Sequence, residues 1–200
     1  MAEKANKVKF NLKNTHYSLL TISENGTPTF GTPVPMPGSV SISLDANGEP
    51  ENFYADGGVY YVINNNCGYD GDLELALIPE SFRTDVLKET LDSKGVLIEN
   101  SEVELAAFAL LFEFDGDQKH IRHVLYNCSA SRPGIEGKTN EDSKEVQTEK
   151  LSLKAVPLAN GMVKAKTGNT TDATTYADWY KAVYAVSYTH LRAHETELHL

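Results

Sequence analysis

Val8, Phe10 and Leu12 alternate with Lys9, Asn11 and Lys13, the period-two signature of a strand with one buried face. Residues 17–22 form a second β-prone run. Val40, Ile42 and Leu44 resume the alternation, with Ser41 and Ser43 pointing outward. Between these runs, residues 24–39 hold Pro28, Pro33, Pro35, Pro37 and three glycines, which predicts an irregular edge or loop. Residues 45–58 turn polar and turn-rich while carrying Phe53 and Tyr54, so an exposed excursion with aromatics is expected there. Residues 59–63 read as a strand again, and Leu73, Leu75 and Leu77 alternate with Asp72, Glu74 and Ala76.

A helix is predicted over 79–93. Pro79 is tolerated in a first turn, Glu80 suits the positive helix end, Phe82, Val86, Leu87 and Leu91 form one stripe, and Gly95 can terminate it. Residues 105–114 are apolar on both alternations, which predicts a strand covered on both faces. Asp115-Gly-Asp-Gln118 turns that strand into another over 119–128. Residues 129–147 are polar and charged, and a loop of that length in a compact domain often carries function. Leu151 and Leu153 open a further strand, and Asn160-Gly161 predicts a hairpin into 163–166. After a capping Asp172, residues Tyr176, Trp179, Tyr180 and Val183 share a face of a short C-terminal helix. The fold class is therefore mainly β with minor α+β character: a β-sandwich or rolled β-barrel, one flanking helix and a short terminal helix, in one domain over 1–185.

Composition narrows the function. Apolar residues make up 40% of the chain, with ten Tyr and seven Phe, as expected of a β-rich globular domain. No run approaches the roughly 20 apolar residues that cross a bilayer, and no secretory signal pattern opens the chain, so no membrane is expected. Cys67 and Cys128 lie at no metal-ligand spacing, which fits a reduced cytosolic chain. A net charge of −10 repels DNA phosphates and argues against a nucleic-acid reader, although an acidic lining suits a conduit through which DNA slides.

Motifs for chemistry fall short. Residues 134–139 end in Gly-Lys-Thr, but Arg132 stands where a phosphate loop needs glycine and no helix pattern follows. Residues 64–72 resemble a calcium loop, with Leu77 where the bidentate Glu belongs. His120 and His123, three apart on a strand, point to opposite faces and cannot share an ion. Asp115 and Asp117 fit turn chemistry better than acid–base catalysis. Trp179 and Tyr180 are better placed to anchor the terminal helix than to bind sugar. The expectation is no catalytic residue, no metal ligand and no cofactor.

Residues 186–196 match one reading frame of a transposase-type sequencing adapter over eleven consecutive positions. Residues 186–200 are accordingly expected to be a non-native, disordered tail. The competing reading is a polar helix with His190 and His194 at i, i+4 binding metal.

Several segments together resemble the major tail tube proteins of siphovirus-type phages and prophages. They are Val8-Lys-Phe10, residues 38–44 with the excursion to Gly58, residues 59–63, residues 77–87, the turn around residues 112–116, and Trp179-Tyr180 with Val183-Tyr184. The resemblance covers about residues 5–184 and rests on the order of the set. It implies a virion structural protein, made in the bacterial host cytoplasm and located in the tail. Its copies would form hexameric rings that stack into a tube for DNA passage, with tape measure protein and tail terminator as partners. The candidate ring-stacking loop is Asp45, Asn47, Glu49, Asn52, Phe53 and Tyr54, and a second interface loop is Arg132, Ile135, Lys138 and Glu141. Deleting 46–57 is expected to leave the fold and block tube growth. The alternative is a monomeric β-sandwich binding or decoration module of a virion.

Overall fold

The alternation at the start of the chain and the run over 17–22 merge into one long strand, β1 (Lys9–Ile22), in a computed structural model that describes residues 5–139 and 144–185. Asn11 and Asn14 adopt left-handed φ of 54° and 52° at the two register shifts against the neighbouring strand. These bulges let one continuous strand bend around a core. The proline-rich segment supplies two short edge pieces, β2 (Pro28–Phe30) and β3 (Val34–Pro35), both paired to β1. Next come β4 (Ser39–Asn47), β5 (Glu51–Ala55), β6 (Gly58–Ile63) and β7 (Gly68–Leu75). Helix α1 (Glu80–Asp85) precedes a small hairpin, β8 (Thr90–Leu91) and β9 (Leu97–Ile98). The chain closes with β10 (Phe108–Gly116), β11 (Ile121–Ala130), β12 (Glu149–Ala155), β13 (Lys164–Lys166) and α2 (Ala173–Asp178).

The main sheet is antiparallel, in the order β2-β1-β10-β11-β12-β7-β4, with β13 added to β11 and β3 to β1. It rolls until its ends meet. Ser39 Oγ donates to Thr15 Oγ1 at 2.6 Å, and the Met36 amide donates to the Thr15 carbonyl at 2.7 Å. Inside the roll, Tyr17, Leu73, Leu75, Phe108, Leu110, Leu151 and their neighbours form the main core. Helix α1 plugs one end, its Phe82 packed edge-on against Tyr17 and Phe108 with centroids at 5.2 and 5.3 Å. Leu20, Ala109, Leu111, Val124 and Tyr126 face the other way and are covered by Leu158 and Trp179. Both faces of β10 are thus buried from Phe108 to Glu113, as the apolar run over 105–112 required. Asp172 caps α2, its carboxylate accepting from the amides of Thr174 and Thr175.

Three expectations are corrected. The helix over 79–93 stops at Asp85: Lys88 turns left-handed at φ 60°, and the stripe residue Leu91 lies half-exposed in β8. Asp92 captures the amides of Lys94 and Val96 in a tight turn with Gly95 at φ 80°, so local turn chemistry outcompetes the helix. Asn160-Gly161 does form a turn, but not a hairpin between β12 and β13. Both strands run along the same edge of β11, and the turn is a detour between them. Finally, 45–58 is not a loop, because β4 continues to Asn47 and β5 begins at Glu51.

Gly68, at the start of β7, has φ 101°, and a Cβ there would overlap the Ala155 carbonyl oxygen. Gly68→Ala must therefore push β7 off β12. It is expected to cost well over about 1 kcal/mol, read as a lower urea midpoint.

Candidate functional site

The strands β5 and β6 form a separate two-stranded hairpin, hereafter the arm, outside the main sheet. Asp56 and Gly57 both take positive φ, 53° and 80°, which makes the tight primed turn whose twist suits a hairpin. At its foot Asn47 and Gly68 are the last paired residues of β4 and β7, and the Cys67 amide donates to the Asn47 carbonyl at 2.9 Å. Every arm residue from Glu51 to Ile63 is exposed except half-buried Ala55. Phe53 lies opposite Tyr61, and Asn52 opposite Val62, so apolar side chains stand on both faces. Tyr60, at 71% exposure, sits in the bulge and meets Phe53 edge-on at 6.5 Å.

An isolated two-stranded hairpin is marginal in water, and a contiguous exposed apolar patch on a soluble chain marks an interaction surface. Seven large hydrophobics on the arm (Phe53, Tyr54, Val59, Tyr60, Tyr61, Val62 and Ile63) each expose 42–71% of their surface. Covering the roughly half of each that is exposed is worth about 6–12 kcal/mol in all, from about 1.5–3 kcal/mol for each fully buried side chain. That is comparable to the roughly 4–15 kcal/mol lost in pairing two free molecules. One arm contact alone is marginal, whereas repeated contacts in a closed assembly reinforce one another.

Of the residues singled out for stacking, Asn52, Phe53 and Tyr54 lie on the arm. Asp45 and Asn47 belong instead to β4 in the main sheet, where Asn47 Nδ2 donates to Asp70 Oδ2 at 2.8 Å, and Glu49 sits at the arm's foot. Arg132, Ile135 and Lys138 lie on the loop before β12. Arg132 pairs with Glu99 at 3.2 Å, Ile135 is fully exposed, and the Lys138 backbone exchanges two hydrogen bonds of 2.9 Å with Gln147. Glu141 lies outside the described residues, as do residues 186–200 with His190 and His194. The two groups are not brought together. The arm leaves from the Gly68 end of β7 and the loop arrives beside its Leu75 end, about 23 Å away at the usual strand rise.

Opposite the α1 plug, the roll is open. A cleft of about 350 Å³ enters there between β4 and β11, with Leu44, Tyr69, Phe112, Phe114 and His123 in its walls. Lys9 lies over the Phe114 ring at 4.6 Å, and Lys164 over Tyr69 at 4.3 Å with its ammonium donating to the phenol oxygen. His123 stacks on Phe112 at 5.1 Å. Burial, aided by the charges of Lys166, Lys9 and Lys164, holds the His123 imidazole down at about 4. Between that value and its ordinary 6.5 the unfolded chain binds the extra proton, so acid weakens the fold as pH falls through this window. The loss is at most roughly 3 kcal/mol. His123→Gln is expected to flatten that part of the stability–pH curve, measured by urea titration at each pH.

The remaining candidates have structural partners. His120 meets Asp115 at 2.6 Å on the far face from His123, and Lys13 meets the same carboxylate at 2.5 Å. Asp117 accepts from the Lys7 amide at 2.7 Å, so the paired aspartates tie the chain start to the β10–β11 turn. Burial pushes the Cys128 thiol up to about 12, while Cys67 is exposed. Among the described residues no group of three or more His, Cys, Asp or Glu could hold a metal, and no helix is long and apolar enough to cross a membrane. Sequence reasoning missed one buried polar group. Glu113 accepts from Arg122 Nε at 3.0 Å, Asn14 Nδ2 at 2.7 Å and the Tyr180 hydroxyl at 3.3 Å.

No known family profile matches the chain, and no curated protein matches its sequence. Similar solved structures include a chain of the six-fold symmetrised anti-feeding prophage baseplate, with 10% identity, 84% of this chain and 99% of that chain covered, and TM-score 0.46. A chain of the anti-feeding prophage tube-terminating cap has 7% identity, 82% and 95% coverage, and TM-score 0.45. A type six secretion system protein has 12% identity, 78% and 91% coverage, and TM-score 0.36. At these identities and TM-scores the likeness assigns no function.

Proposed function

We propose that this chain is a structural subunit of a phage-type tail, self-assembling through its arm, and specifically the tube-forming subunit of a long, siphovirus-type tail. One observation carries the reading: a folded hairpin whose apolar side chains find no cover among the described residues. The sequence resemblance to tail tube proteins supports it. So does the placement of the arm and the loop before β12 at opposite ends of the roll, which lets a copy be contacted from both sides. Among the described residues main-sheet strand β4 pairs with β7 and no second strand, so beyond the Ser39–Thr15 closure its outer edge is open for a neighbour to cover. In this reading copies close into hexameric rings, rings stack, and DNA passes without specific binding. Tape measure and terminator proteins bound the tube.

Negative-stain electron microscopy of the purified chain at rising concentration tests this. Uniform rings or hollow tubes are the expected result. Monomers at every concentration that bind glycans would instead support the virion binding module.

A further inference from the structure

Charge is segregated along the chain. No lysine or arginine occurs between Lys13 and Arg83, so β4, the arm and β7 are anionic or neutral throughout. Glu49, Glu51 and Asp56 are exposed on the arm and its foot, and among the described residues no ion pair involves them. The open mouth of the roll is the reverse. Exposed Lys9 and Lys164 rim an apolar, aromatic cleft with no carboxylate among the described residues that line it. Lys166, exposed and directly opposite His123 in the β11–β13 pairing, projects to the same face. On a chain of net charge −10, this is a local cationic rim over apolar floor.

We propose that this lysine-rimmed mouth is the receptor for the arm of a second copy. Aromatic side chains of the arm cover the cleft, and Glu49, Glu51 and Asp56 face Lys9, Lys164 and Lys166. The proposal rests on the assembly reading above and adds where the arm lands. A copy's own arm does not fill its own mouth, since its residues stand exposed. Arm-to-mouth contact joins two different surfaces, and such a heterologous contact builds closed rings when its rotation closes.

The test uses two variants of the full chain. One carries Glu49→Lys, Glu51→Lys and Asp56→Asn; the other carries Lys164→Glu and Lys166→Glu. All five positions are exposed, and circular dichroism checks that both variants fold. Sedimentation velocity is expected to show each alone associating at least about tenfold more weakly than the wild type, about 1.4 kcal/mol per contact. An equimolar mixture regains association, because each variant's arm then meets an oppositely charged mouth. Should the Glu pair unfold, Lys164→Gln with Lys166→Gln gives a second route. Raising salt from about 0.05 M to about 0.5 M then weakens wild-type association and barely affects the Gln pair. Variants that associate like the wild type, or a mixture that merely averages its components, overturn the receptor assignment and leave assembly standing. A wild type that stays monomeric overturns both.

Discussion

Replacing residues 48–67 with a two-residue Asn-Gly turn is expected to leave the barrel folded and lower self-association more than about a hundredfold, or about 2.7 kcal/mol per contact. The cut follows the register: Asn47 and Gly68 are already paired, so a two-residue primed turn can join β4 to β7 without disturbing either. Deleting 46–57 would be the wrong cut, because it removes the end of β4 and leaves β6 without its partner. The arm contributes no residue to either core cluster, so the unfolding free energy of the monomer should change by no more than the few tenths of a kcal/mol typical of surface changes. Calorimetry and sedimentation velocity on the same preparation separate the two effects. A variant that assembles normally would remove the arm from the interface.

The second large effect concerns stability. Arg122→Ala is expected to destabilise the fold by about 3–5 kcal/mol, because Glu113, only 1% exposed, loses its cation while remaining buried. Arg122 also lies over the Tyr176 ring at 3.9 Å and donates to the Tyr176 carbonyl, so its loss removes one of the ties that hold α2 to the sheet. Tyr180 is held to the same carboxylate, and burial followed by the Glu113 charge pushes its phenol pKa up. A double variant, Glu113→Leu with Arg122→Met, should recover most of the loss, since removing both charges removes the unpaired one. Urea unfolding of the two variants gives the comparison; equal losses in both would mean the ion pair is not the cause.

Local signals in the sequence carried well. The apolar run of β10 announced a strand buried on both faces and Asp172 announced the start of α2, because in each case the cause lies within a few residues, but α2 ends at Asp178 and leaves Trp179, Tyr180 and Val183 of the expected helical face beyond it. The helix prediction over 79–93 went too far because Leu91 continued the stripe by spacing alone, while Asp92 and Gly95 had already committed the chain to a turn. The arm was half legible. Phe53 and Tyr54 stand out as aromatics in polar surroundings, but the hairpin signal is Asp56-Gly57 between two β-prone runs. The cationic mouth was out of reach, since Lys9 comes from β1, Lys164 and Lys166 from β13, and only the sheet order brings them together. The Glu113–Arg122–Tyr180 group was hidden for the same reason.

Sedimentation velocity of the unmodified chain, followed from micromolar concentration upward, tests self-assembly most directly. The account predicts concentration-dependent growth from monomer to a ring-sized species and then to tubes. A single monomer boundary at every concentration would contradict it.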